Sequence, residues 1–298
     1  MIRFKRFLAV LGSSLAMVFS SGSMASGTVT LLDSFDVSDW DPAIYYSAEP
    51  RVILNIYETL TFYNPDSGIA EPKLATSWSV SDDGLTWTFN LREGVKFHDG
   101  SDWNAAAAKA NLDRVREMGK GAAYIWSSVS EISAPASHTL EIKTTYPMPI
   151  DLVASSQYAA TMASPAALEK GTDWFMEGNA AGTGPYHLSQ WEKSQQIVLE
   201  KFDDYWGGWS GEEFDRIVYR LVSEVSTQVQ MLRGGEGDVM VSTAPADLLH
   251  QLQNDEELKV SVFNSWLNIP LMINVKMAPT DNKKFRQGLT YIMDYAAI

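Results

Sequence analysis

The sequence predicts an α/β protein, and three observations carry that reading. Segments in which apolar residues alternate strand-fashion are interleaved with segments at helical spacing. Asp-Gly and Gly-Gly pairs stand at the joints between them. Hydrophobic residues make up 45% of the 298, enough to bury a full core and to fill more than one domain.

Taken in order, TVTLLDSFDVSDWDP predicts a short strand through Val29 and Leu31 that runs out into a loop. PRVILNIYETLTFYN reads as a helix leading to a strand. In SWSVSDDGLTWTFNLREGVKF, Leu85, Trp87, Phe89 and Leu91 share one strand face, and Thr86, Thr88 and Asn90 the other. Asp83-Gly84 is the hairpin turn back to SWSV, and Asp99-Gly100 repeats the device after GVKF. Asn104 then stands where a helix N-cap belongs. Ala108, Leu112, Val115 and Met118 recur at helical spacing behind it, and Gly119 and Gly121 stop the helix.

SHTLEIKTTYP alternates at Leu140 and Ile142 until Pro147 and Pro149 end it, and DLVASSQYAATMASPAALE has a helical pattern. Two strands, Tyr186–Trp191 and Gln196–Lys201, follow the glycine-rich GNAAGTG. FDRIVYRLV is a strand, and STQVQMLRGGEGDVM a helix closed by Gly234-Gly235 with a short strand after it. APADLLHQLQND is a helix with Pro245 in its first turn. KVSVFNSWLNIPLMIN reads as two extended segments. The last segment, DNKKFRQGLTYIMDYAAI, is an amphipathic helix with Phe285, Leu289, Ile292 and Met293 on one side.

The first residues have a separate purpose. MIRFKR is basic, FLAVLGSSLAMVF is an apolar run shorter than the ~20 residues of a spanning helix, and Ser23-x-Ala25 offers a cleavage site. Residues 1–25 are therefore expected to be a cleavable signal peptide. Cysteine is absent, which removes disulfides, thiolate metal sites, thiol nucleophiles and a lipid-modified cysteine anchor. The mature chain is expected to be free in the periplasm of a host with two membranes. Net charge is −14, and the leader holds the basic Arg3, Lys5 and Arg6 without an acidic residue, so cleavage makes the chain more acidic still. Nucleic acid and anionic membrane surfaces are poor partners for such a field.

Reactive-looking residues occur at His98-Asp99, but adjacent residues on an extended strand point to opposite faces, and no nearby serine, cysteine or second histidine supplies a nucleophile–base pair. The expectation is a structural turn and no catalytic residue. GTGPY at Gly182–Tyr186 lacks the Lys-Ser/Thr of a phosphate loop and opens no helix, so a tight turn is expected. His98, His138, His187 and His250 lie far apart without ligand spacing, and neither a metal nor a cofactor is expected.

The block AEPKLATSWSVSDDGLTWTFNLREGVKFHDG, followed in order by NAAGTGPYHLSQW, KFDDYWGG, GGEGDVM and NVKMAPTDNKKFRQGLTYIMD, resembles the family 5 solute-binding proteins of ABC importers. That group includes dipeptide-, oligopeptide- and nickel-binding proteins, and the resemblance runs over the whole chain after the leader. It implies a periplasmic-binding-protein type II-like clamp of three domains, most of the third being missing. Domain I would begin at 26–46, domain II would span 47–177, domain I would resume at 178–266, and domain III would start at 267–298. A chain cut in this way is expected to be marginal alone. Two features depart from the family pattern. Ala105–Ala108 replace the usual acidic residues at a helix start, which forfeits ~0.3–1 kcal/mol per acidic group, and Gly288 replaces alanine at ~1 kcal/mol.

The resemblance also implies a site. The loop Asp33, Ser34, Phe35 and Asp36 would face the cleft, where either aspartate could meet a cationic group or be a solvated carboxylate. Tyr124 would reach in from domain II while Trp126 packs the core, and Trp266 and Asn268 would line the cleft or pack the hinge. The function implied is import of peptides by hinge closure, as a monomer that partners ABC permease and ATPase subunits and turns nothing over. Oligosaccharide, opine-like compounds and chelated nickel are alternative ligands. A periplasmic hydrolase and a chaperone-like holdase are the readings outside the binding class.

Overall fold

A computed structural model describes residues 27–46, 50–242, 244–261 and 272–294. The expected signal peptide, Trp266, Asn268 and most of the paired extended segments around them lie outside the described residues.

Strand β1 (Thr28–Asp33) opens the chain, and a short helix α1 (Pro50–Ile53) leads to β2 (Thr61–Asn64), which pairs antiparallel with β3 (Ile69–Pro72). β4 (Ala75–Val80) and β5 (Thr86–Leu91) form the hairpin expected from Asp83-Gly84. Gly84 has φ 73°, a left-handed conformation that a side chain would strain. Phe89 and Leu91 are buried and Asn90 exposed, as the alternation requires.

Helix α2 (Ala105–Met118) starts and stops where its sequence dictates. Asn104 Oδ1 accepts from the Ala107 N–H at 2.9 Å, and Gly119, at φ 58°, returns its N–H to Val115 O. A 3₁₀ turn (Ala123–Trp126) precedes β6 (Val129–Ala136) and β7 (Thr139–Thr144). β6 carries no clean alternation because two register shifts against β7 interrupt its pleat, and only Val129 and Ile132 are buried.

The helical pattern over residues 151–169 resolves into two helices, α3 (Ile150–Val153) and α4 (Pro165–Met176). Between them Ala159 has φ 57° and Met162 bridges to Glu58 as an isolated antiparallel pair. The true helix start is Ser164-Pro165: Ser164 Oγ accepts from the Ala167 N–H at 3.1 Å, and proline at N1 gives up an N–H that no helix bond would use.

After α4 come β8 (Tyr186–Glu192), β9 (Gln196–Lys201), β10 (Arg216–Leu221), α5 (Val225–Gly234), β11 (Val239–Met240), α6 (Ala246–Gln253) and α7 (Lys283–Ile292). Gly235 closes α5 in the left-handed region at φ 73°.

Two larger sheets organise the first 250 residues. One has the order β11-β1-β10-β9-β8, with β1 parallel to β10 and β11 and the other pairs antiparallel. The other, β4-β5-β7-β6, is antiparallel throughout. The chain thus leaves the first sheet after β1 and returns to it at β8. One core cluster, with Phe89, Phe97, Trp103, Leu112, Trp126 and Ile142, includes the buried face of α2 and of the four-stranded sheet. The other gathers Trp40, Ile53, Ile56, Tyr57, Phe175 and Leu199 and includes the inner face of the five-stranded sheet. The chain divides at residue 250 into two units. In the second, residues 251–298, α7 is capped by Asn282, whose side chain accepts from the Lys284 N–H at 2.9 Å. No helix among the described residues is long and apolar enough to cross a membrane.

Candidate ligand-binding site

In an α/β sheet, loops gather at the carboxyl ends of the parallel strands, where ligands are characteristically held. Here β1, β10 and β11 run parallel and end side by side at Asp33, Leu221 and Met240. The loop leaving β1 is the Asp33–Asp36 quartet. Its course is held further on by Asp41, a buried carboxylate that takes a bidentate pair from Arg114 of α2, both contacts at 2.6 Å.

The four loop residues have different surroundings. Asp33 is buried, its carboxylate 3.3 Å from Arg51 Nη1 and accepting from the Phe35 N–H at 3.1 Å. Arg51 stands 5.3 Å from the centroid of the Phe35 ring and donates to Val241 O, beyond β11, at 3.3 Å. Its own carbonyl is fixed by the Tyr219 hydroxyl at 3.0 Å. Burial, and then the Asp33 charge, push the Tyr219 phenol up to about 12. Phe35 is 57% exposed. Ser34 Oγ lies 3.2 Å from Ser242 Oγ. Asp36 turns to the β8–β9 turn, accepting from Trp191 Nε1 at 3.0 Å and from the Ser194 N–H at 2.7 Å. The aspartate that ends β1 therefore carries a cation on a half-open surface, and the one that ends the loop anchors the loop to the sheet.

Tyr124 projects from its 3₁₀ turn with 64% of its surface exposed, its hydroxyl 3.2 Å from that of Tyr46. Tyr46 is itself exposed and packs on Tyr158 at 5.2 Å between ring centroids. Gly121 makes this approach feasible, since a Cβ there would sit 2.7 Å from Ile44 O. Trp126, two residues beyond Tyr124, is buried and donates to Ala159 O at 2.7 Å. Arg51 and Tyr46 were not singled out by the sequence. Their signals were slight: one basic residue at a helix start and one tyrosine in the run Ile44-Tyr45-Tyr46.

His98 and Asp99 form no dyad. The Gly182 N–H donates to His98 Nδ1 at 3.3 Å, and Nε2 lies 2.9 Å from Gly184 O, so the ring is the neutral Nε2–H tautomer with both nitrogens engaged. Burial pushes its pKa down to about 4. Asp99 Oδ1 accepts instead from the Ser101 N–H and hydroxyl, at 3.0 and 2.6 Å. Among the described residues, no group of three His, Asp or Glu side chains could hold a metal ion.

The family model of the bacterial extracellular solute-binding proteins, family 5 (middle region), matches residues 70–298. The chain belongs to this family. It is 31% identical, over 98% of its length, to the glutathione-binding protein GsiB of Escherichia coli O6:K15:H31, and covers 56% of that protein. It thus spans about half the length of the curated relatives it matches. The Helicobacter pylori periplasmic binding protein DppA, solved with the peptide STSA, superposes with a TM-score of 0.68 at 26% identity, covering 78% of this chain and 50% of that one. MoaA of A. tumefaciens R10, solved with mannopinic acid, gives a TM-score of 0.80 over 92% of this chain and 56% of that one. At 24% identity it speaks for the fold alone. That fold is the α/β architecture of type II periplasmic binding proteins.

In this family 5 chain the GTG turn has a structural explanation. A Cβ on Gly182 would lie 2.0 Å from Ile56 O, and one on Gly184 would lie 2.4 Å from Asn55 O. Only glycine lets the turn reach that backbone, where the Gly184 and Tyr186 N–H groups donate to Ile56 O and Asn55 O. Thr183 between them donates to Glu58, a fully buried carboxylate, at 2.9 Å. Glu58 also accepts from Tyr205 OH at 3.0 Å and Trp206 Nε1 at 2.7 Å, with Lys73 Nζ at 3.6 Å. Burial, and then Glu58, raise the Tyr205 phenol far above its ordinary range. The sequence reading missed Glu58, because a lone glutamate in IYETL carries no signal of burial.

Proposed function

We propose that this family 5 chain is the substrate-binding part of an ABC importer that captures small peptides or peptide-like solutes in the periplasm, without altering their bonds. The observation that carries the reading is Arg51, held by buried Asp33 and stacked on exposed Phe35 at the carboxyl end of β1. A guanidinium fixed in this way offers a preorganised partner for a carboxylate, and the ring beside it an apolar wall. Exposed Tyr46 and Tyr124 add hydroxyls and ring faces. Glutathione and the peptide STSA, named with the relatives above, both carry carboxylates.

On this reading Asp33, Ser34, Phe35 and Tyr124 border the ligand, Asp36 sets the loop, and Trp266 and Asn268 contribute from the later part of the chain. The chain is exported by its leader, acts as a monomer, and delivers its ligand to permease and ATPase subunits. The domain limits are 26–46 and 178–266 for domain I, 47–177 for domain II and 267–298 for domain III. The return of the chain from β1 to β8 within one sheet supports the discontinuous first domain. Ligand that touches two lobes favours the closed state by its differential affinity for it. Native mass spectrometry of the full-length protein, followed by calorimetric titration of peptides, tests this. A co-purified peptide-like carboxylate and weakening of about tenfold or more in Arg51→Ala are expected. Ligand recovered as cleaved product, or binding indifferent to Arg51, would overturn it. An opine-like conjugate is the second reading, favoured by a 28% identity to AgaA, solved with agropinic acid, and the same mass measurement distinguishes it.

A further inference from the structure

A hollow of about 330 Å³ opens on another part of the first unit, where α4 faces β8, Phe202 and the His98 turn. Its volume lies at the small end of the range for small-molecule sites. Asp99 and Lys170 stand exposed at its border, while half-buried Trp174, His187, Leu188 and Phe202 line it. None of these residues belongs to the face around Arg51.

Two of the polar groups have unused capacity. Lys170 Nζ stands 4.7 Å from the Trp174 ring centroid and pairs with no carboxylate among the described residues. The His187 imidazole touches the His98 ring at 6.1 Å between centroids and makes no hydrogen bond among the described residues. Asp99 keeps its charge as an acceptor from Ser101. Phe202 stands edge-on to His98 at 4.9 Å between ring centroids. A border with one charge of each sign over an apolar floor disfavours a bare carboxylate, which Asp99 repels, and a bare amine, which Lys170 repels.

We propose that this hollow is a second binding site, for a free amino acid with an apolar side chain. Its carboxylate meets Lys170, its ammonium meets Asp99, and its side chain lies on Phe202 and Leu188 beside Trp174. His187 supplies a further hydrogen bond. Because both charged groups are solvent-exposed, the affinity is modest, with a Kd of about 1 mM.

The test is NMR titration of the chain with leucine, N-acetylleucine and leucinamide, following the Trp174 indole (assigned with Trp174→Phe) and the His187 ring. Leucine is expected to shift both with saturation, and each analogue, lacking one charge, to bind about fivefold or more weakly. Lys170→Gln should lose the preference for leucine over leucinamide, and Arg51→Ala should leave leucine binding unchanged. Equal binding of all three compounds, unaltered binding in Lys170→Gln, or no saturation by about 10 mM would overturn the proposal. Loss of the leucine shifts in Arg51→Ala would also overturn it, placing the amino acid on the β1 face.

Discussion

The face around Arg51 and the joint around His98 and Glu58 are built from the same kinds of side chain, a carboxylate, a cation or imidazole, and aromatic rings. They differ in what is left over. At the joint, both His98 nitrogens are engaged and Glu58 accepts from three donors with a lysine alongside. At the β1 face, Arg51 is only partly satisfied, and Phe35 is more than half exposed. Reactive-looking residues whose bonds are all made hold a fold together. Binding needs groups that are positioned by the fold yet not fully used by it.

Mutations can break this contrast, and the largest effects belong to the joint. Glu58→Ala strands Thr183, Tyr205, Trp206 and Lys73 around a buried void, and should lower the unfolding free energy by about 3–5 kcal/mol in urea titrations. A loss below about 1 kcal/mol would show that Glu58 is not the centre described.

Acid should act on the same joint through His98. Its folded pKa, about 4, lies below the ordinary value of 6.5, so the unfolded chain takes up the proton first. The stability held by the neutral ring is complete above 6.5 and is lost as pH falls toward 4, by at most about 3 kcal/mol. Urea midpoints of the parent and His98→Gln, compared between neutral and mildly acid pH, should show the steeper fall in the parent. Parallel curves would refute the assignment.

A single cap comes next in size. Asn104→Ala should cost about 1 kcal/mol in the same titrations, because the Ala107 N–H loses its acceptor. The smallest effects on stability belong to the exposed rings of the proposed site. Phe35→Ala and Tyr124→Ala should each change it by no more than about 0.5 kcal/mol, yet weaken capture of the co-purified ligand measured by calorimetry. Stability losses as large as those at the joint would erase the distinction between the two regions.

Elements written locally could be read directly from the chain. The β4–β5 hairpin and α2 follow from Asp83-Gly84, Asn104 and Gly119, because each signal acts within a few residues of itself. β6 escaped because its register shifts break the alternation, and the single helix expected over residues 151–169 obscured the Ser164-Pro165 start of α4. Within the site, the loop Asp33–Asp36 could be suspected from its place after a strand, but its partners could not. Arg51, Trp191 and Ser194 are remote in sequence from the aspartates they contact.

The amino-acid order alone determined the α/β class, the β4–β5 hairpin, the capped helix α2 and the family, since local propensity and ordered blocks need no partner from elsewhere in the chain. Only the tertiary structure decided which aspartate steadies a cation and which ties down a loop. It also decided that both His98 nitrogens are engaged and that Glu58 is the buried hub. Burial and hydrogen-bond saturation depend on atoms brought together by folding, and a linear sequence does not specify which atoms those will be.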